Sequence, residues 1–190
     1  MQDESINTIF NTAWEVVNNT GRNVFLTGKA GTGKTTFLKK LMKETSKNCV
    51  VVAPTGVAAI NAGGVTMHSF FQLPFNAYLR HGGYVQEEVQ FTNKSELLRG
   101  LRISKPKREL MSEMDLLIID EVSMVRADLL DAVDDILRSV RGNRNKPFGG
   151  VQVLFIGDLF QLPPVVQDQE KGLLSKYYES PFFFNAEVLK

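Results

Sequence analysis

Gly28 to Thr35 read GKAGTGKT and fit the pattern G-x-x-x-x-G-K-[ST]. Holding a polyphosphate dictates those residue types. Glycines let consecutive backbone N–H groups curl around anionic oxygens without Cβ clashes, and a following helix N-terminus adds partial positive charge. Lys34 is then a compact cation for the β- and γ-phosphates, and the Thr35 hydroxyl a ligand for Mg²⁺. Gly28, Ala30, Gly31, Thr32, Gly33, Lys34, Thr35 and Thr36 make up the candidate cradle, whereas Lys29 reads as a solvated side chain. In LLIIDE, Leu116 to Glu121, Asp120 ends an apolar run, where a carboxylate can hold Mg²⁺ directly or through water. Glu121 follows at once and can orient or deprotonate water. The alternative is that Asp120 merely ends the strand and caps the following turn. GDLFQLPP, Gly157 to Pro164, offers the amide of Gln161 beside two prolines, suited to sensing a γ-phosphate, although by itself the segment is an ordinary strand exit.

These residues need a scaffold that brings three loops to one edge. NVFLTG (23–28), CVVVA (49–53), LLIID (116–120) and VQVLFIGD (151–158) are too continuously apolar for half-exposed antiparallel strands and predict buried parallel ones. Helical spacing predicts a helix from Ser5 through Ile6, Ile9, Phe10, Ala13, Trp14 and Val17, stopped near Gly21. Two more are predicted over Thr35–Thr45 and Ala127–Val140. The alternation is that of an α/β fold, a mostly parallel sheet flanked by helices. From about Gln72 to Pro106 the pattern breaks down, passing through HGGY (81–84) into a basic stretch. Lys94 to Leu110 holds six basic residues and two acidic ones, while Met111 to Asp135 holds eight carboxylates and one arginine. The basic stretch reads either as a solvated surface insertion or as a phosphate-facing patch.

Composition sets outer limits. The 190 residues, 43% hydrophobic and 23% charged, suit one packed domain. Twenty-two basic residues against 21 acidic leave a net charge of +1, so any polyanionic partner must be met by a local patch. The single cysteine, Cys49, has no partner for an internal disulfide and reads as a core residue. The polar N-terminus and the lack of a long apolar run predict a soluble, intracellular protein with no membrane partner.

The ordered set GKAGTGKT, APTGVAA (53–59), GGVTMHSF (63–70), LLIIDEVSM (116–124) and GDLFQLPPV (157–165) resembles the first RecA-like motor domain of superfamily-one helicases. In particular it resembles the Pif-one family of 5′-to-3′ DNA helicases, with the RecD branch of helicase/exonuclease subunits next. The likeness runs from about Asn7 to Lys190, the irregular middle excepted. It implies a RecA-like phosphate-loop fold, ATP and Mg²⁺ as ligands, and ATP-driven unwinding of DNA in replication, repair, recombination or telomere maintenance. It assigns Lys34 and Thr35 to phosphate and metal, Asp120 to the metal, Glu121 to the catalytic base, and Gln161 to the γ-phosphate sensor. Thr55, Gly56 and His68 would touch single-stranded DNA, His68 reading otherwise as a satisfied structural residue, and Phe70 and Phe71 are candidates for stacking on bases, with core packing the alternative for at least one of them. The implied partners are single-stranded and forked or structured DNA and a second RecA-like domain of the same parent, the chain itself being a monomer and an N-terminal motor-domain fragment.

Two departures from the family pattern stand out. A glutamine that reads the adenine edge is replaced at the matching position by Asn11, one methylene shorter. The sequence also stops at FFFNAEVLK, before the second motor domain whose arginines complete the hydrolytic site in that family. Other classes fit less well. A phosphate-loop GTPase normally shows an NKxD-type motif, and the nearest string, GNRNK (142–146), lacks the aspartate. A phosphate-loop kinase has no need of an Asp-Glu pair, and a non-enzymatic interaction domain that kept the fold but not the activity would have no need of an intact phosphate site.

Overall fold

The structure, a computed structural model, describes residues 2–82 and 89–190, with side chains from residue 8 onward. Helix α1 (Gln2–Asn19) leads into β1 (Val24–Thr27), α2 (Lys34–Glu44), β2 (Cys49–Ala53), α3 (Gly56–Ala62), β3 (Val65–Thr66) and α4 (Met67–Phe71). The middle holds β4 (Ala77–Leu79), β5 (Phe91–Asn93), α5 (Lys94–Gly100) and α6 (Lys105–Glu113). Then come β6 (Leu116–Ile119), α7 (Ala127–Val140), β7 (Gln152–Gly157) and α8 (Asp168–Leu174).

Five strands form one parallel sheet in the order β1-β7-β6-β2-β3. Every residue of β6 and β7 is buried, and alternate side chains serve opposite faces. Leu116, Ile118, Leu154 and Ile156 pack with Ala13 and Val17 of α1 and Phe37, Leu38 and Leu41 of α2. Leu117, Ile119, Val153 and Phe155 pack instead with α4, α6 and α7. Each such side chain contributes about 1.5–3 kcal/mol by leaving water. The sheet also needs one close approach: a Cβ at Gly64 would lie 2.2 Å from the Val51 carbonyl oxygen, so β3 can pair with β2 only through glycine there.

The register fixes where the loops emerge. Thr27 pairs with Gly157, and Ile119 with Phe155, so the exits of β1, β7 and β6 lie side by side at the C-terminal edge. Helix α1 is longer than its periodicity predicts and ends at Asn19 rather than at Gly21. There the Thr20 hydroxyl donates to the Val16 carbonyl at 2.7 Å. The side chains of Ser5 and Ile6 lie outside the described residues.

The stretch from 72 to 106, expected to be irregular, holds β4, β5, α5 and the start of α6. Strands β4 and β5 pair in parallel, Ala77 with Phe91 and Leu79 with Asn93. Asn93 opens α5 with a reciprocal cap: its side chain accepts from the Glu96 N–H at 3.0 Å while Glu96 accepts from the Asn93 N–H at 3.1 Å. Gly83 and Tyr84 of the HGGY stretch lie outside the described residues. Among those described, no helix is long and apolar enough to cross a membrane.

The acidic run of α7 is buried. Asp128, Asp131, Asp134 and Asp135 are each at most 1% exposed, and every one is met by donors from distant segments. Asp128 accepts from the Tyr78 N–H (2.9 Å) and from Arg126, which also reaches Glu170 at 2.9 Å. Asp131 accepts from the Tyr178 hydroxyl and from the N–H groups of Glu187 and Val188. Arg80 bridges Asp134 (2.6 Å) and Asp135 (2.7 Å), and Lys94 and the Tyr78 hydroxyl complete Asp135. Burial pushes the Asp135 carboxyl up, but the hydrogen bonds from Lys94, Tyr78 and Arg80 outweigh it and hold the group below the usual carboxylate range. Helix α7 thereby pins β4, α5 and the C-terminal segment to the sheet.

Candidate active site

The phosphate loop joins β1 to α2. Gly31 and Gly33 take left-handed φ values of 79° and 91°, which a side chain would strain, and Gly33 accepts the Phe37 N–H at 2.8 Å as α2 begins. The Thr32 hydroxyl donates to the Lys29 carbonyl at 2.8 Å and closes the turn. Lys34 donates to the carbonyls of Gly28 and, at 3.0 Å, Lys29, so its ammonium lies inside the loop curve. Lys29 is exposed, as its solvated reading expects; Thr35 and Thr36 are exposed on the first turn of α2. Asn11 is exposed on α1, and its neighbour Phe10 meets Phe37 of α2 edge-on at 5.0 Å, so α1 flanks the helix that opens at the loop.

Across the edge, the Asp120 N–H donates to the Val52 carbonyl at 2.9 Å, tying the exit of β6 to β2. Burial pushes the Asp120 carboxyl up, while a backbone hydrogen bond from Glu121 and the Lys34 charge pull it back. Glu121 has φ 51°, left-handed backbone in a non-glycine residue, a conformation with a strain of about 1–3 kcal/mol that concentrates at functional sites. Burial raises its carboxyl, with the Asp120 and Asp158 charges adding and Lys34 opposing. The electrostatic coupling puts Lys34, Asp120, Glu121 and Asp158 in one field.

Asp158, quoted within GDLFQLPP but given no role by the sequence, organises the third loop. It is 6% exposed; its carboxylate accepts the Phe160 N–H at 3.1 Å, and its carbonyl accepts the Gln161 N–H at 3.0 Å. The Gln161 side chain is exposed on that turn. An aspartate followed by a turn was the available signal, because short polar side chains bond their own backbone two residues on.

After Glu121 a single 3-10 turn, Val122–Met124, leads from this cluster to a second site. Its Ser123 Oγ is buried with no hydrogen-bond partner among the described residues. Met124, Val125 and Arg126 then line a cavity of about 270 Å³ together with Pro54, Thr55, Met67, His68, Leu73, Phe75, Leu129, Val165 and Gln167. Thr55 caps α3 through the Ala58 N–H at 3.2 Å, and Gly56 is the first residue of that helix but does not line the cavity. Thus Thr55 and His68 come together, and Gly56 borders them. Burial lowers the His68 pKa, and the Arg126 charge lowers it further against Asp128.

Of the two readings for Phe70 and Phe71, core packing holds for both, and neither is placed to stack on a base. They are 5% and 0% exposed and pack in the core, because α4 turns that side to the sheet. An exposed aromatic that does line the cavity is Phe75, stacked on His68 with centroids 5.4 Å apart and planes 11° from parallel. Arg138 and Arg141 are engaged away from this edge, Arg138 with Asp134 and the Arg144 carbonyl. Arg141 donates to the carbonyls of Met111, Ser112 and Met114, ahead of β6.

A family description, PIF1-like helicase, matches residues 1–182. The chain belongs to that family. It is 37% identical over 156 residues to the ATP-dependent DNA helicase PIF1 of Saccharomyces cerevisiae, covering 80% of this chain and 16% of that protein. Among solved structures, Bacteroides Pif1 bound to single-stranded DNA superposes with a TM-score of 0.77 at 51% identity, over 97% of this chain and 38% of that one. Bacteroides Pif1 helicase in complex with ADP-AlF3 and single-stranded DNA gives 0.77 at 50% identity, again over 97% and 38%. This PIF1-like chain therefore spans less than half the length of these relatives, and its parallel sheet is the fold they share with it.

Proposed function

We propose that the chain is the nucleotide-binding and strand-binding part of an ATP-driven DNA helicase. The observation that carries this reading is the convergence at one sheet edge of Lys34, Asp120, Glu121 and the Asp158 turn, one 3-10 turn away from the Thr55 and His68 cavity. The loop amides and Lys34 bind the phosphates, with the Lys34 ammonium exchanging loop carbonyls for phosphate oxygens. Glu121, made more basic by its surroundings, takes the proton of the attacking water. Asp158 holds the turn that presents Gln161 to the γ-phosphate. Asn11 is the candidate contact to the base.

Thr35 and Asp120 would hold Mg²⁺. A desolvated carboxylate already drawn toward the Lys34 charge suits a cation, and Mg²⁺ takes few protein ligands, keeping phosphates and water for the rest. When bound, the ion supplies neutralisation of charge on the transferring phosphoryl group. Thr55, Gly56 and His68 contact single-stranded DNA at its entry to forked or structured duplexes. A second RecA-like domain of a longer parent closes over the nucleotide, supplies the arginines worth ~10³–10⁵ in rate, and converts closure into movement along the strand.

Hydrolysis of ATP by the longer parent, with and without single-stranded DNA, tests this reading. Stimulation by the strand is expected, and Glu121→Gln is expected to keep nucleotide binding while slowing turnover ~10²–10⁴-fold. Unchanged turnover in Glu121→Gln, or indifference to DNA, would refute it.

A further inference from the structure

Phe75 is 86% exposed between two buried anchors, Leu73 at 5% and Ala77 at 0%. A large ring left in water between such anchors has a place for a partner. Its loop is held on both sides: Gln72 ends α4 in a left-handed conformation, and its side-chain amide exchanges hydrogen bonds of 2.9 and 2.8 Å with the backbone of Arg102. The ring is thus presented on a fixed support, already parallel to His68. It borders the 270 Å³ cavity, whose lining has no carboxylate and includes Thr55, Met124 and Val165.

We infer that Phe75, backed by His68, is a stacking platform for a nucleobase of single-stranded DNA. The inference deepens the strand-binding reading and rests on it. Stacking suits a motor that must grip any sequence, because every base offers a π face, whereas hydrogen-bond readout would favour particular bases. The imidazole beneath fixes the plane of the phenyl ring, so the platform is ordered before the base arrives.

The experiment uses the 190-residue protein and oligothymidylate at low salt, with an abasic strand of equal length as control. The single native tryptophan, Trp14, packs against Phe10 and Phe37 on the opposite face of the sheet and serves as an internal reference. Phe75→Trp is expected to bind oligothymidylate with its added fluorescence quenched, while wild-type emission stays nearly constant. Phe75→Ala and Phe75→Leu are expected to weaken oligothymidylate binding about 5- to 150-fold and to leave abasic-strand binding unchanged. Wild-type affinity in Phe75→Ala, an equal loss on the abasic strand, or an unquenched Phe75→Trp complex would overturn the platform while leaving strand binding intact. Failure of the wild-type protein to bind oligothymidylate at all would overturn the strand-binding reading and the platform with it.

Discussion

Glu121 and Ser123 sit two residues apart and depart from folding preference in different ways. Glu121 has left-handed backbone, and Ser123 buries a hydroxyl without a partner among the described residues. An unpaired buried hydroxyl forfeits about 1–3 kcal/mol of hydration, so Ser123→Ala is expected to stabilise the domain by roughly 1 kcal/mol in urea denaturation. A loss of stability of that size would mean that the hydroxyl is satisfied. Cys49 tests burial at the far end of β2. Its thiol is pushed up to about 11 by burial, against the pull of the Lys47 charge. At pH 8 about one molecule in a thousand then carries the thiolate, the species that reacts. Alkylation by iodoacetamide is therefore expected to be ~100-fold slower than for free cysteine and to rise about tenfold per pH unit; reaction at the free-cysteine rate would contradict this burial.

At the scale of elements, α7 and its buried aspartates carry a clear consequence. Arg80 is the cation shared by Asp134 and Asp135, and its side chain is only 14% exposed. Removing one partner of a buried pair leaves uncompensated charge, so Arg80→Ala is expected to destabilise the protein by about 3 kcal/mol. A change below ~0.5 kcal/mol would show that Lys94 and Arg138 suffice. This network was the least legible part of the fold. Nothing in the spacing of the four aspartates signals burial, and the donors that bury them, Tyr78, Arg80 and Tyr178, lie 47–57 residues away in sequence. The strands were legible because both faces of β6 and β7 are covered, which demands unbroken apolar runs. Strands of three residues, such as β4 and β5, are too short to show any period. At the site, the phosphate loop and Asp120 were legible because phosphate chemistry fixes their residue types. Phe75 was not, since neighbouring phenylalanines look alike until α4 sets which of them face the core.

At the scale of the whole molecule, two sites share one edge of one sheet and are joined by the turn from Glu121 to Met124. A net charge of +1 gives no general attraction to nucleic acid, so the proposed strand binding requires a local surface and is expected to weaken steeply with salt. The nucleotide site is the part on which everything else depends. Its most direct test is titration of the 190-residue protein and of Lys34→Ala with a fluorescent ATP analogue, with and without Mg²⁺. Saturable, Mg²⁺-dependent binding is expected, weakened roughly 10- to 150-fold in Lys34→Ala, as the loss of one charge-assisted contact of about 1.5–3 kcal/mol requires. Equal affinity in the two proteins, or no binding by either, would contradict the assignment of Gly28 to Thr35 as the triphosphate cradle.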